Sequence, residues 1–203
     1  RRGKIPWVAE FRDPMLQPNY PLNSWERAAY SRIEKLVFST AAEIVTTTSG
    51  CKNMYNERFP AYPIERVSVI SNGYDPAIFS SAPALEQSAD DGKLVLLHSG
   101  LLYPHERNPS AFFSAVAALN SRGFFNDRPV EFRFRASGNH EEFKAEVQRL
   151  GLSQLIRFCP SIPYVEALGE MQCVDGLMVF QADNCNDQIP AKIYEYLYCM
   201  KPI

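Results

Sequence analysis

The amino-acid sequence predicts an α/β protein with parallel sheets in layers, divided into two domains. Apolar and β-branched runs of strand length alternate with segments of helical periodicity along the whole chain. Residues 80–92, rich in small, polar and acidic residues and without periodicity, interrupt that alternation once. A chain of 203 residues, 46% hydrophobic, can bury a sizeable core in either part.

The elements follow in order. Residues 5–11 are an apolar strand that ends at Arg12-Asp13-Pro14, because proline restricts the residue before it and cannot donate to a ladder. Asn23 with Glu26 three residues on marks a helix start, and Ala29, Ile33, Leu36 and Val37 supply an inward stripe. Residues 44–48 are a β-branched strand, Ser49 is placed to cap a helix over 50–58, and residues 67–70 form the next strand. Asn72-Gly73-Tyr74-Asp75 breaks it.

After the interruption, residues 94–98 are a strand and Asn108-Pro109 opens a helix with Phe112, Ala115, Val116 and Leu119 inward. A strand at 130–136 follows, then a helix at 141–150 closed by Gly151 and a strand at 155–158. A helix at 163–172, a strand at 176–180 and a helix from Pro190 complete the order, with Ile193, Leu197 and Met200 on the expected inward side of the last helix. The crossovers of such parallel units are right-handed.

Several function classes are disfavoured. The formal net charge of -2, with no broad basic stretch, argues against nucleic acid as a partner. The five cysteines are odd in number and never form a CxxC pair, and the three histidines lack metal-ligand spacing. No metal site is therefore expected, and a reducing cytoplasm fits. No apolar run reaches the ~18 residues of a membrane span.

Ligands of open parallel sheets bind beyond the carboxyl ends of the strands, where helix N-termini offer free N–H groups. Gly100 and Arg107 follow one such strand end, the glycine admitting a ligand to the backbone and the arginine suited to grip a diphosphate. Ser137-Gly138 follows another, and the loop 181–188 with Asp183 and Asp187 leads to Lys192 and Glu195. A Lys and Glu three apart on a helix are more often a solvated pair, Arg12-Asp13 can simply stabilise a turn, and His98 reads as a core histidine rather than a ligand.

In combination these residues resemble the nucleotide-sugar glycosyltransferases of family 4, retaining enzymes of the two-Rossmann-domain GT-B fold. The resemblance rests on Phe11-Arg12-Asp13-Pro14, on the run from Val69 to Asp75 ending at Phe79, on Gly100 to Arg107, and on Pro190 to Leu197 leading to Lys201-Pro202-Ile203. Asp187 and Glu195 have the family's separation of two acids by seven residues. It implies that residues 1–79 are the later part of the acceptor-side Rossmann-like domain plus hinge, 80–92 a linker, and 93–203 a truncated donor-binding Rossmann-like domain, both domains being incomplete.

Carried onto this chain, the resemblance makes Glu195 the acid that accepts from the donor ribose hydroxyls and Arg107 a phosphate-binding residue. Asp187 stands where the family usually has glutamate, near the transferred sugar, and Arg12 with Asp13 stands where many members have a histidine. The family's other basic phosphate ligand corresponds to Leu101, and Lys192 is the candidate to replace it. The implied chemistry is transfer with retention, with no agreed enzymic nucleophile and no metal or other cofactor: positive groups and helix ends stabilise the leaving nucleotide diphosphate. The implied partners are a nucleotide-sugar donor and a sugar or lipid-linked acceptor, in cell-surface polysaccharide or glycolipid synthesis in the cytoplasm. The residues Trp25, Arg27, Arg32 and Lys35 make their helix a candidate for peripheral contact with an anionic membrane, an ordinary amphipathic helix being the alternative. The 203-residue stretch is expected to be a fragment, inactive alone. A sugar-nucleotide epimerase of the same fold and a non-catalytic Rossmann-like binding domain stay open as alternatives, the latter favoured by Leu101 and Asp187.

Overall fold

The computed structural model describes residues 5–18, 20–83, 92–127, 129–138 and 141–203. Most of the expected linker, residues 84–91, and His140 lie outside the described residues. The chain divides into two compact units, Arg1–Asn72 with Asp183–Ala191, and Gly73–Ala182 with Lys192–Ile203. The fold class is the expected one, α/β with two parallel, Rossmann-like sheets.

The first unit carries β1 (Val8–Phe11), α1 (Ser24–Thr40), β2 (Glu43–Thr46), α2 (Ser49–Arg58) and β3 (Val67–Val69). Its three strands lie parallel in the order β1-β2-β3, with Ala9 opposite Ile44 and Ile44 opposite Val67. Asn23 caps α1, its side chain accepting from the Trp25 N–H. The expected inward stripe of α1 is wrong by part of a turn. The helix buries Glu34 and Phe38 and leaves Ile33 and Leu36 at 43% and 62% exposure. Burial of a carboxylate is tolerated because Arg58 Nη1 reaches Glu34 Oε2 at 2.7 Å, with the Leu16 N–H at 3.1 Å and the Tyr55 hydroxyl at 3.3 Å on Oε1. Phe38 stacks on Phe59 with ring centroids 4.1 Å apart.

The cap of α2 also sits one residue earlier than expected. Thr48, not Ser49, is extended, and its hydroxyl accepts from the Cys51 N–H. Ser49 is the first residue of the helix.

The second unit contains α3 (Pro76–Ser80), β4 (Leu94–Ser99), α4 (Ser110–Ser121), β5 (Val130–Arg135), α5 (Glu141–Arg149), β6 (Ile156–Cys159), α6 (Tyr164–Cys173), β7 (Gly176–Leu177) and, from Lys192 on, α7 (Ala191–Tyr198). The strands are parallel in the order β6-β5-β4-β7. Phe113 and Phe134 are fully buried in one core cluster, and burial of each is worth about 1.5–3 kcal/mol relative to exposure. A second cluster packs Phe79 of α3 against Leu97, Leu168 and Tyr196. Gly151, at φ 70°, follows α5 where a helix-closing glycine is expected. Outside the apolar clusters, β5 is tied to α6 by charge: Glu170 accepts from Arg133 at 3.0 Å and from Arg135 at 2.8 Å.

Two inward faces differ from expectation. On α4 the most buried residues are Phe113 and Val116 rather than Ala115 and Leu119. On α7, Tyr196 is fully buried and Cys199 nearly so, whereas Leu197 and Met200 are 61% and 89% exposed. The rotation has a consequence for charge. Lys192 is one turn before Tyr196 and shares its inward face.

Candidate functional site

The singled-out residues fall into two groups. Arg12, Asp13 and Asp187 belong to the first unit; Gly100, Arg107, Lys192 and Glu195 belong to the second.

In the first unit, the loops after β1 and β2 stand at the carboxyl ends of parallel strands. The Thr47 hydroxyl donates to the Arg12 carbonyl at 2.9 Å, joining these loops, and the Arg12 guanidinium donates to Asn72 Oδ1 at 3.3 Å. Asp187 is seated at the start of α2. Its carbonyl accepts from the Thr48 hydroxyl and from the Cys51 thiol. A Cβ on Gly50 would stand 2.9 Å from Asp187 Cα and 3.0 Å from Oδ1, so only glycine allows this approach. Burial, and then the charges of Asp187 and Asp13, push the Cys51 thiol up, with the Thr48 hydrogen bond opposing them. Arg12, Asp13 and Asp187 thus border one small-residue strand end.

In the second unit, β4 ends at Ser99 and the chain turns through Gly100 at φ 125°, a backbone conformation that glycine adopts readily. The Gly100 N–H donates to the Arg135 carbonyl at 2.9 Å. Lys192 Nζ lies over this turn, 2.9 Å from where a Cβ on Gly100 would be. It also lies 3.3 Å from His98 Nε2. Burial, followed by the nearby Arg107 charge, brings the Lys192 ammonium down to about 8, with Glu195 acting the other way. Arg107 is itself held by its N–H on the Tyr103 carbonyl at 2.8 Å and by its guanidinium 5.4 Å from the Tyr103 ring centre. One cation therefore stands over a glycine turn at the end of a parallel strand, with the charge of a second, Arg107, close enough to act on it.

Glu195 accepts from the Tyr164 hydroxyl at 2.6 Å. Burial and that carboxylate push the Tyr164 phenol up to about 12, so it remains a donor. Leu101, in the place of a basic residue, packs over Gly138: a Cβ there would meet Leu101 Cδ2 at 2.8 Å. A pocket of about 530 Å³ opens beside it, bordered by Tyr103, Gly138 and the Glu141-Glu142 start of α5.

Sequence reasoning missed Thr48, Gly50 and Tyr164 and assigned His98 only to the core. The small residues of Thr46-Thr47-Thr48-Ser49-Gly50 were a legible signal for a crowded strand end. Nothing near Tyr164 signals its reach to Glu195. Among the described residues, no group of three or more His, Cys, Asp or Glu side chains is arranged to hold a metal ion, and no helix is long and apolar enough to cross a membrane.

No family model matches the chain, and no curated protein matches it by sequence. Solved structures do match. The chain is similar to WaaG, a glycosyltransferase involved in lipopolysaccharide biosynthesis, with a TM-score of 0.74 and 15% identity over 98% of this chain and 56% of that one. It is similar to an α,α-trehalose-phosphate synthase (UDP-forming) from Burkholderia vietnamiensis, with a TM-score of 0.73 and 11% identity over 97% of this chain and 50% of that one. It is also similar to a mutant of S. aureus TarM, in a complex with UDP and α-GlcNAc-glycerol among its ligands, at a TM-score of 0.64 and 11% identity over 96% of this chain and 35% of that one. The chain spans about half the length of the first two. At these identities the likeness is one of fold.

Proposed function

We propose that this chain is part of a retaining GT-B glycosyltransferase of the family 4 type, and that its second unit binds the diphosphate and ribose of a nucleotide-sugar. The observation that carries this is the placement of Lys192 Nζ over the Gly100 turn with Arg107 nearby. Two cations and open backbone at a strand end suit a diphosphate, as charge-assisted hydrogen bonds to phosphate are strong. Lys192 takes the part of the missing basic residue at Leu101. Glu195, with Oε1 engaged by Tyr164, offers its carboxylate to vicinal ribose hydroxyls.

In this reading the Lys192 and Arg107 charges stabilise the diphosphate as it leaves, which is where negative charge develops. The acceptor hydroxyl attacks the same face of the sugar. Asp187, Arg12 and Asp13 serve the transferred sugar and acceptor, no metal or other cofactor takes part, and the protein works in the cytoplasm on cell-surface polysaccharide or glycolipid. The acceptor is a sugar or a lipid-linked sugar. The solvent-exposed Trp25 and Leu36 of α1, together with Arg32 and Lys35, give it a face for anionic membrane surface. The 203-residue stretch alone binds donor without transferring sugar, since it spans about half of the glycosyltransferase structure it matches.

Titration with UDP, GDP and ADP tests the donor reading. At least one is expected to bind and to raise the melting temperature. No binding by any of them removes the diphosphate site. Retention is read from the anomeric configuration of the product made by the whole protein, and an inverted product overturns that part.

A further inference from the structure

We propose that His98 is a positioning residue for Lys192, its neutral ring accepting from the Lys192 ammonium through Nε2 while Nδ1–H donates to the Met178 carbonyl. The consequence for donor binding rests on the reading of Lys192 as a phosphate ligand. The hydrogen-bond arrangement does not.

His98 is the next-to-last residue of β4 and is fully buried. Its ring is fixed between Phe180, with centroids 5.1 Å apart, and Phe134, at 5.9 Å. Nδ1 lies 2.9 Å from the Met178 carbonyl oxygen, which can only accept, so this nitrogen carries the proton. Nε2 then presents a lone pair, and Lys192 Nζ stands 3.3 Å from it. A second ring proton would face an ammonium. Burial and the Lys192 charge bring the imidazole down to about 3, with Arg107 adding to them and the Met178 and Leu101 carbonyls opposing.

The arrangement answers a problem set by α7. Lys192 is three residues from Glu195, its nearest opposite charge on the helix, and is repelled by Arg107. A flexible lysine with no other partner would turn toward Glu195 and leave the glycine turn. His98 holds the ammonium over Gly100 without neutralising it, because an imidazole lone pair accepts a hydrogen bond and adds no negative charge. Lys192 therefore keeps its charge for an anion.

The test pairs two substitutions. His98→Asn keeps a donor for Met178 and removes the acceptor for Lys192; His98→Gln places an amide oxygen near the Nε2 position. With inorganic pyrophosphate and UDP as probes, His98→Asn is expected to weaken binding about tenfold and His98→Gln less than about threefold. In a Lys192→Met background, His98→Asn is expected to add no further loss. Equal losses in both variants, or an undiminished loss in the Lys192→Met background, would show a merely structural role. Nitrogen NMR of His98 supplies an arm independent of the donor: Nδ1 protonated, no second proton on the ring from about pH 9 down to about pH 5, and an Nε2 resonance that moves in Lys192→Met. A proton on Nε2 overturns the proposal whether or not the variants fold. If the wild-type chain binds neither probe, the diphosphate reading falls while the NMR arm still decides the role of His98.

Discussion

Lys192 and Glu195 lie three residues apart on α7 and form no ion pair: Lys192 Nζ is 3.3 Å from His98 Nε2, and Glu195 Oε1 accepts from Tyr164 at 2.6 Å. Opposite charges at this spacing usually meet on a helix surface. Here each is drawn to a different neighbour, one on β4 and one on α6. Tyr164→Phe, which removes only the hydroxyl, is expected to free Glu195 and to weaken UDP binding about three- to tenfold while leaving pyrophosphate binding unchanged. An equal loss for both ligands places Tyr164 elsewhere.

Gly100→Ala meets two obstacles. The backbone at φ 125° disfavours a side chain, and the new Cβ would stand 2.9 Å from Lys192 Nζ. We expect a stability loss of about 1–3 kcal/mol from the backbone alone. Displacement of Lys192 adds a fall in pyrophosphate affinity of about tenfold or more. Denaturant unfolding and calorimetric titration check the two separately.

The pH dependence follows from Lys192. Its folded-state value, about 8, lies below the ordinary 10.5, so the ammonium is charged at neutral pH and loses its proton as the pH passes 8. Diphosphate affinity is expected to fall over that range. Stability moves oppositely: between 8 and 10.5 the unfolded chain binds the proton that the folded chain has released, so stability rises through this window. Lys192→Met is expected to remove both slopes. A wild-type affinity that is flat from about pH 7 to about pH 9.5 would contradict the assignment.

Glu34 is fully buried and held by Arg58, Tyr55 and the Leu16 N–H. Its truncation in Glu34→Ala leaves those groups without their acceptor and is expected to cost about 3–5 kcal/mol. Glu34→Gln keeps one acceptor oxygen and should lose less. Equilibrium unfolding checks the order, and equal losses would show that the carboxylate charge facing Arg58, rather than the volume or the retained acceptor, dominates.

Trp25 is 84% exposed and Leu36 62% exposed on α1. If this face meets anionic lipid, co-sedimentation with phosphatidylglycerol vesicles should fall several-fold in Trp25→Ser with Leu36→Ser, and with added salt. Unchanged sedimentation removes the membrane contact.

The sequence by itself determined the alternation of strands and helices, and so the α/β class with parallel sheets. It also located the strand ends that bear Arg12 and Gly100, because turn residues and β-branched runs act through local sterics; the seat of Asp187 at the start of α2 was not legible there. What it placed poorly was direction around a helix. On α1 a buried carboxylate, Glu34, replaced an expected apolar stripe, since its partner Arg58 is contributed from α2. On α7 the inward face turned on Tyr196, whose hydroxyl accepts from the Ser99 N–H at 2.9 Å. That rotation carried Lys192 inward to His98. Such pairings join residues 24 to 97 positions apart, and hydrophobic periodicity has no term for a charge made tolerable by a distant partner. Only the tertiary structure could decide them.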